Sequence, residues 1–360
     1  MLKLFRDNRL HRNYLAETEE FMYVPEEVIN SVGFIYGNKR GTKMPGGTAF
    51  FVTILDRAAN FTSRYAVTAR HVLDGIKNNC SDRKVYIRLN RMNGGVDYFF
   101  TTLNQWLTHP TDPSVDVAVL PVEESLISDF NIGYIPDEFF MNDEAIKLYS
   151  IGPGDEVAIV GLYNVRTGQD RNLPIVRIGN IAAMPSEPVT STFHRGGITA
   201  YLIEARSFGG LSGSPVFFSF GHERKVGSYS FQASTTDRQD AAGVFVLLGL
   251  IHAHHDEEVA KKINKLLTGE KVDINMGIAI VVPMKQIREV LDQRVLINQR
   301  RRDREREKRK HLPTLDSSLI ARSVVESAIG EPLTPPQRKL KPKKRAKRRR
   351  SRDCHVHDVL

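Results

Sequence analysis

The chain has 360 residues, 41% of them hydrophobic and 8% aromatic, which is enough for a substantial core in one large or two ordinary domains. Its two cysteines, Cys80 and Cys354, provide no disulfide framework, so a reducing compartment is expected rather than secretion. The N-terminus MLKLFRDNRLHRNYLAETEE lacks a signal-peptide core, and apolar runs such as Val244–Ile251 fall far short of the roughly 20 residues of a membrane span, so a cytoplasmic location and no transmembrane segment are expected.

The net charge of +9 is unevenly distributed. Residues 299–360 hold 20 Lys/Arg against 8 Asp/Glu, whereas the other 298 residues hold 31 against 34. The basicity therefore belongs to the C-terminal tail. The body is close to neutral.

Residues 1–30 are polar and charged and read as an N-terminal arm with one short helix. From Ser31 the chain becomes a series of short runs rich in β-branched and aromatic residues, separated by Gly, Asn, Asp and Pro clusters. The predicted strands are Val32–Tyr36, Thr48–Leu55, Tyr65–Thr68, Lys84–Leu89, Tyr98–Leu103, Val115–Val122, Glu156–Leu162, Ile175–Ala183, Thr199–Glu204, Ser214–Ser219, Phe245–His252 and Gly277–Val282. A dozen short strands with turn signals between them predict an all-β sandwich or pair of barrels.

Helical periodicity begins at Pro283, where Met284, Ile287, Val290, Leu291 and Val295 fall on one predicted face. The charged run Arg300–Lys310 reads as a solvated continuation of that helix, ending before Pro313. Farther on, Arg338–Arg352 carries 11 Lys/Arg in 15 residues and is expected to be disordered.

Three segments carry chemistry. Tyr65–Leu73 is an apolar strand ending in Thr68-Ala69-Arg70-His71. In Ser114–Pro121 an Asp, Asp116, opens a continuous apolar strand, which implies a carboxylate at least partly buried and therefore paired. Ser207–Pro215 places Ser212 between glycines on a turn that leads into Val216-Phe217-Phe218. Each alone has an ordinary structural reading: a core histidine, a turn aspartate and a Gly/Ser-rich turn. Together, His71, Asp116 and Ser212 follow one of the chain orders in which nucleophilic triads are built.

On these residues the sequence resembles the trypsin-like, chymotrypsin-fold serine peptidases, specifically the bacterial branch that includes HtrA-type catalytic domains and glutamyl endopeptidases. Thr68-Ala69-Arg70-His71 matches Thr-Ala-x-His, Asp116–Leu120 matches Asp-[hydrophobic]-Ala-[hydrophobic]-Leu, and Gly210–Pro215 matches Gly-x-Ser-Gly-[Gly/Ser]-Pro. Gly46–Val52, Gly154–Gly161, Leu247–Ile251 and Met276–Pro283 resemble supporting strands of the same family.

The resemblance implies two six-stranded antiparallel β-barrels with a C-terminal helix. It places a peptidase domain at 31–298, after the arm at 1–30 and before a basic, largely disordered extension at 299–360. It further implies that Ser212 attacks a peptide carbonyl, His71 transfers the proton, Asp116 orients the imidazole, and the N–H groups of Gly210 and Ser212 form the oxyanion hole. Leu211 stands where activated secretory members carry an acidic residue, which argues against activation by propeptide cleavage. Ser214 stands where Gly is commoner.

Arg206, six residues before Ser212, falls where the family places the base of its primary pocket. His252 and His254 alternate along the predicted pocket strand. These three predict a preference for acidic residues on the acyl side of the scissile bond. His252-Ala253-His254-His255-Asp256 also has the composition of a metal cluster, but pocket lining is the expected role, with no metal and no cofactor. The expected partner is a protein or peptide substrate, with non-specific nucleic acid or an acidic partner reached through Arg338–Arg352. The alternative is a catalytically silent peptidase-fold module tethered to a polyanion by that tail.

Overall fold

In the computed structural model, the described residues are 24–191, 197–205, 210–220, 223–226, 229–232, 245–254 and 277–310. Helix α1 (Glu26–Ile29) leads into strands β1 (Val32–Lys39), β2 (Thr42–Asp56) and β3 (Phe61–Thr68), followed by α2 (Arg70–Asn79). Next come β4 (Lys84–Asn90), β5 (Val96–Thr102), β6 (Leu107–Thr108), β7 (Ala118–Val122), α3 (Glu124–Ile127), β8 (Ile135–Pro136) and α4 (Asp143–Leu148). The second half contains β9 (Glu156–Gly161), β10 (Ile175–Ala183), β11 (Tyr201–Glu204), β12 (Pro215–Ser219), β13 (Glu223–Val226), β14 (Tyr229–Gln232), β15 (Phe245–His254) and β16 (Ile278–Pro283). Helices α5 (Met284–Leu291) and α6 (Arg294–Lys310) follow.

The architecture is all-β in two parts with a C-terminal helix, as expected of a chymotrypsin-like double barrel. The C-terminal part is a closed six-stranded barrel in the order β10-β11-β16-β15-β12-β9. The N-terminal part has eight strands, in the order β5-β4-β1-β2-β3-β7-β6 with β8 pairing on β2. Two of those, β6 and β8, are only two residues long, too short for a periodic signal in the sequence. The β13–β14 hairpin was also not predicted. All twelve predicted strands are present, with ends shifted by up to six residues.

The strands form where apolar and β-branched residues face inward. Residues 157–161 of β9 are buried throughout, because one face lies inside the barrel and the other is covered. Phe34, Phe50, Phe51, Phe217 and Phe218 are all fully or almost fully buried in one continuous core, each contributing on the order of 1.5–3 kcal/mol relative to exposure. Buried Arg88 closes the loop before β10: its guanidinium donates to the carbonyls of Thr167, Gly168 and Gln169 and to Asn172 Oδ1 at 2.7–3.1 Å.

Two helical details differ from expectation. Helix α2 buries only Val72, Leu73 and Ile76, three apolar positions around Gly75, too few to stand out in the sequence. Its presence places His71 in the first turn of a helix, three residues past the end of β3. At the C-terminus, the predicted apolar face holds through Leu291. The chain then leaves the helix at Asp292–Gln293, and the phase resets. Leu296 is therefore buried and Val295 is exposed.

Helix α6 includes residues 299–310 of the segment expected to be an extension. It docks through Arg300, which donates to the Leu291 carbonyl at 2.8 Å and to Tyr65 Oη at 3.2 Å, and through Arg304, which pairs with Asp56 at 2.6 Å. The rest of the basic tail, including Arg338–Arg352, and the arm before Val24 lie outside the described residues. None of the described helices is long and apolar enough to cross a membrane.

Candidate active site

The candidate site is assembled from both halves. The N-terminal sheet supplies His71, at the start of α2, and Asp116, on the irregular segment entering β7. The barrel supplies Ser212, on the turn entering β12, and His252, on β15.

The Ser212 turn is shaped by its neighbours. Gly213 has φ +81, and a Cβ there would lie 2.3 Å from the Thr48 carbonyl and 2.4 Å from Thr68 Oγ1, so only glycine fits. Gly210 has φ +104, and a Cβ there would meet Asn164 Oδ1 at 2.3 Å. The Gly213 N–H donates to the Ile251 carbonyl at 2.8 Å, and the Ile251 N–H donates to the Ser214 carbonyl at 2.9 Å, tying the turn to β15. Among the described residues, the N–H groups of Gly210 and Ser212 have no hydrogen-bond acceptor.

Thr48 on β2 links this turn to the other half. Its N–H donates to the Ser212 carbonyl at 2.9 Å, and its hydroxyl donates to the Gly210 carbonyl at 3.1 Å while accepting from the Leu162 N–H at 2.9 Å. Thr68 donates to the Thr48 carbonyl at 2.7 Å.

Asp116 is the electrostatic centre. Its Oδ1 accepts the backbone N–H of His71 at 2.8 Å, and its Oδ2 accepts from His71 Nδ1 at 2.7 Å. The same Oδ2 is closely hydrogen-bonded to Nδ1 of His252. Burial alone would raise the Asp116 pKa. The hydrogen bonds from His252 and His71, with the coulombic influence of both rings, outweigh burial and hold the carboxyl well below the usual carboxylate range.

An ionised carboxylate only accepts, so both Nδ1 atoms carry the proton. The His71 ring is edge-on to the His252 ring, with centroids 5.5 Å apart, and 13% of its side chain is exposed. In the neutral ring with the proton on Nδ1, Nε2 bears the lone pair and can act as a base. A cleft of about 390 Å³, lined by Arg70, Asp74 and Ser114 along with His71, Asp116 and His252, lies beside the group.

The His252 ring is engaged with Asp116 and Ser191 rather than projecting freely from the strand. A β-bulge in the β15–β16 pairing between Ile251 and Ala253 puts one extra residue on β15 at His252. Bulges re-aim side chains in this way. The His252 side chain is only 1% exposed and turns inward, with Nε2 at 2.7 Å from Ser191 Oγ as well as Nδ1 on Asp116. The His252 carbonyl accepts from Ser212 Oγ at 3.5 Å.

His71 and Asp116 are hydrogen-bonded directly to each other, and Ser212 reaches this group through the His252 carbonyl, on which its Oγ donates at 3.5 Å. His252 joins it from an unforeseen direction, while Arg206 and the His254 side chain lie outside the described residues. The ligand-type atoms of His71, Asp116 and His252 lie within 4.8 Å of one another, close enough to invite a metal reading. Both imidazoles, however, direct Nδ1 at the same carboxylate oxygen rather than around a common vacant point. Sequence reasoning missed Thr48, Ser191 and the inward turn of His252. For His252, a usable signal was its place directly after the apolar run 244–251, where a buried imidazole needs polar partners.

No protein-family model matches the chain, and no curated protein matches it. Among solved structures, it is similar to the Drosophila Grass clip serine protease of the Toll pathway, with 12% identity over 79% of this chain and 77% of that one and a TM-score of 0.41. It is also similar to catalytically active tobacco etch virus protease complexed with product, with 10% identity over 77% of this chain and 85% of that one and a TM-score of 0.38. These likenesses are distant.

Proposed function

We propose that the chain is a serine endopeptidase whose peptidase domain spans 31–298, between the arm at 1–30 and the basic extension at 299–360. The observation that carries this reading is the Asp116 carboxyl holding both the Nδ1 and the backbone N–H of His71 at 2.7–2.8 Å. That arrangement selects the tautomer in which His71 Nε2 can accept a proton.

In this reading His71 takes the proton of Ser212 as its Oγ attacks the peptide carbonyl. The tetrahedral oxyanion rests on the Gly210 and Ser212 N–H groups. His71 then protonates the leaving amine, and water completes hydrolysis of the acyl-enzyme by the reverse proton transfers. The loss of one oxyanion donor costs about 3 kcal/mol in the barrier in such sites. No cofactor takes part in this scheme.

Substrate choice is proposed to favour acidic residues. Support comes from the sequence positions of Arg206 and His254, since the His252 ring is engaged with Asp116 and Ser191. Profiling with a peptide library checks this preference: the expectation is enrichment of Glu or Asp on the acyl side, and a flat profile removes it. Turnover of casein by the wild type, absent in Ser212→Ala, tests the peptidase reading as a whole.

The charge of Arg338–Arg352 favours an additional role, contact with nucleic acid or another polyanion without sequence specificity. Salt-sensitive DNA retention that disappears when residues 336–352 are deleted supports it, and retention that survives the deletion opposes it. If the protein retains DNA but never turns over substrate, the tethered-module reading takes precedence.

A further inference from the structure

Two hydrogen-bond branches meet at Asp116 Oδ2. One comes from His71, which is partly exposed and forms part of the proposed catalytic machinery. The other is buried and runs from Ser191 Oγ through His252 to the same oxygen. His252 also touches the opposite end of the site, because its carbonyl accepts from Ser212 Oγ at 3.5 Å. One residue on a bulged strand therefore contacts both the orienting carboxylate, by its side chain, and the nucleophile, by its main chain.

We propose that His252 is a positioning residue: its imidazole, held by Ser191, keeps the Asp116 carboxylate in the orientation that serves His71. This rests on the peptidase reading for its consequence and on the geometry for its existence.

The physical basis is the limited set of positions open to a buried carboxylate. Asp116 has two oxygens, and the N–H of His71 occupies Oδ1 while two Nδ1 donors share Oδ2. Without the second imidazole, the Oδ2 lone pair facing the barrel would be buried with no donor, which is costly for a charged group. The carboxylate would relieve that cost by rotating towards another donor or admitting water, and either movement displaces the imidazole of His71. A misplacement on the order of 1 Å can reduce reactivity by about 10²-fold. Ser191 completes the arrangement by engaging Nε2, which fixes the ring plane and leaves Nδ1 as the donor to Asp116.

The chemistry predicts which substitutions are tolerated. An Asn at 252 offers an amide N–H close to the Nδ1 position and retains the donor, whereas a Leu fills similar space and offers none. A test uses the full-length chain and its His252→Asn, His252→Leu and Ser191→Ala variants, each checked for native folding by circular dichroism and thermal melting. Two readouts apply: the rate constant and apparent affinity of a fluorophosphonate probe at Ser212, and the downfield imidazole N–H resonances by proton NMR.

The expected result is two downfield N–H resonances in the wild type. His252→Leu should lose both the His252 resonance and the sharp His71 resonance, and His252→Asn should retain that of His71. The probe's inactivation rate should fall about 10²-fold in His252→Leu with little change in apparent affinity, and recover to within about 10-fold in His252→Asn. Ser191→Ala should fall between them.

A folded His252→Leu that reacts at the wild-type rate overturns the proposal, as does an Asn variant no better than Leu. If His252→Leu does not fold, a wild-type rate and spectrum in both His252→Asn and Ser191→Ala overturns it. If the wild type takes no label, the peptidase reading fails, while the NMR comparison still decides whether His252 positions Asp116.

Discussion

The backbone N–H of Thr48 donates to the carbonyl of Ser212 across 2.9 Å, joining the second strand of the N-terminal sheet to the nucleophile's turn in the barrel. The Thr48 hydroxyl adds bonds to the Gly210 carbonyl and the Leu162 N–H. The proposed oxyanion residues are thus set by contacts across the two halves, as well as by the turn itself. Thr48→Val removes both hydroxyl bonds while preserving the branched shape. It should lower stability by about 1–3 kcal/mol in urea unfolding and slow probe labelling of Ser212. A variant with unchanged labelling would show that the turn holds its shape without this link.

Gly213→Ala should be more damaging. The position has φ +81, and its new Cβ would lie 2.3 Å from a backbone oxygen that is itself held by Thr68. Both the left-handed strain and the clash oppose the native turn. A loss of about 2–4 kcal/mol in stability is expected, with labelling abolished at temperatures where the variant is still folded.

Ser214 presents the opposite case. Its hydroxyl is fully buried and has no hydrogen-bond partner among the described residues. Ser214→Ala removes an unsatisfied polar atom and leaves the turn's backbone bonds unchanged. Stability should rise by about 1 kcal/mol, read as a higher Tm, with labelling of Ser212 retained.

Asp116 predicts an acid-labile component of stability. Its carboxyl titrates below its ordinary value of 3.8 in the native state, so the unfolded chain binds that proton more readily. The stabilisation is complete above the unfolded value and is lost as pH falls through 3.8 and below. Urea unfolding followed from about pH 5 to pH 2 should therefore show a weaker acid dependence in Asp116→Asn than in the wild type. The same substitution should slow labelling by about 10⁴-fold, because an amide no longer selects the useful His71 tautomer.

Much of this molecule was legible in its sequence because short apolar runs between turn residues report strands directly. Asp116 could be inferred as paired because a carboxylate opening a run such as Val117–Leu120 has nowhere polar to go except to a partner. Other features depend on relationships that the linear pattern does not contain. Helix α2 was hidden because three buried side chains suffice to seat it. The orientation of His252 was hidden because strict alternation fails at a bulge, and the bulge is a property of the pairing between β15 and β16. Ser191 carries no local signal at all. It matters only because the barrel brings it to 2.7 Å from an imidazole 61 positions later.

In the proposed function, Ser212 is a nucleophile activated through His71 and Asp116. Reaction of the full-length protein with a fluorophosphonate probe, followed by peptide mass mapping of the adduct, tests it most directly. The expected result is a single phosphonyl group on Ser212, absent in Ser212→Ala and strongly reduced in His71→Ala. Folded wild-type protein that takes no label, or an adduct that maps to Ser191 or another serine, would contradict it.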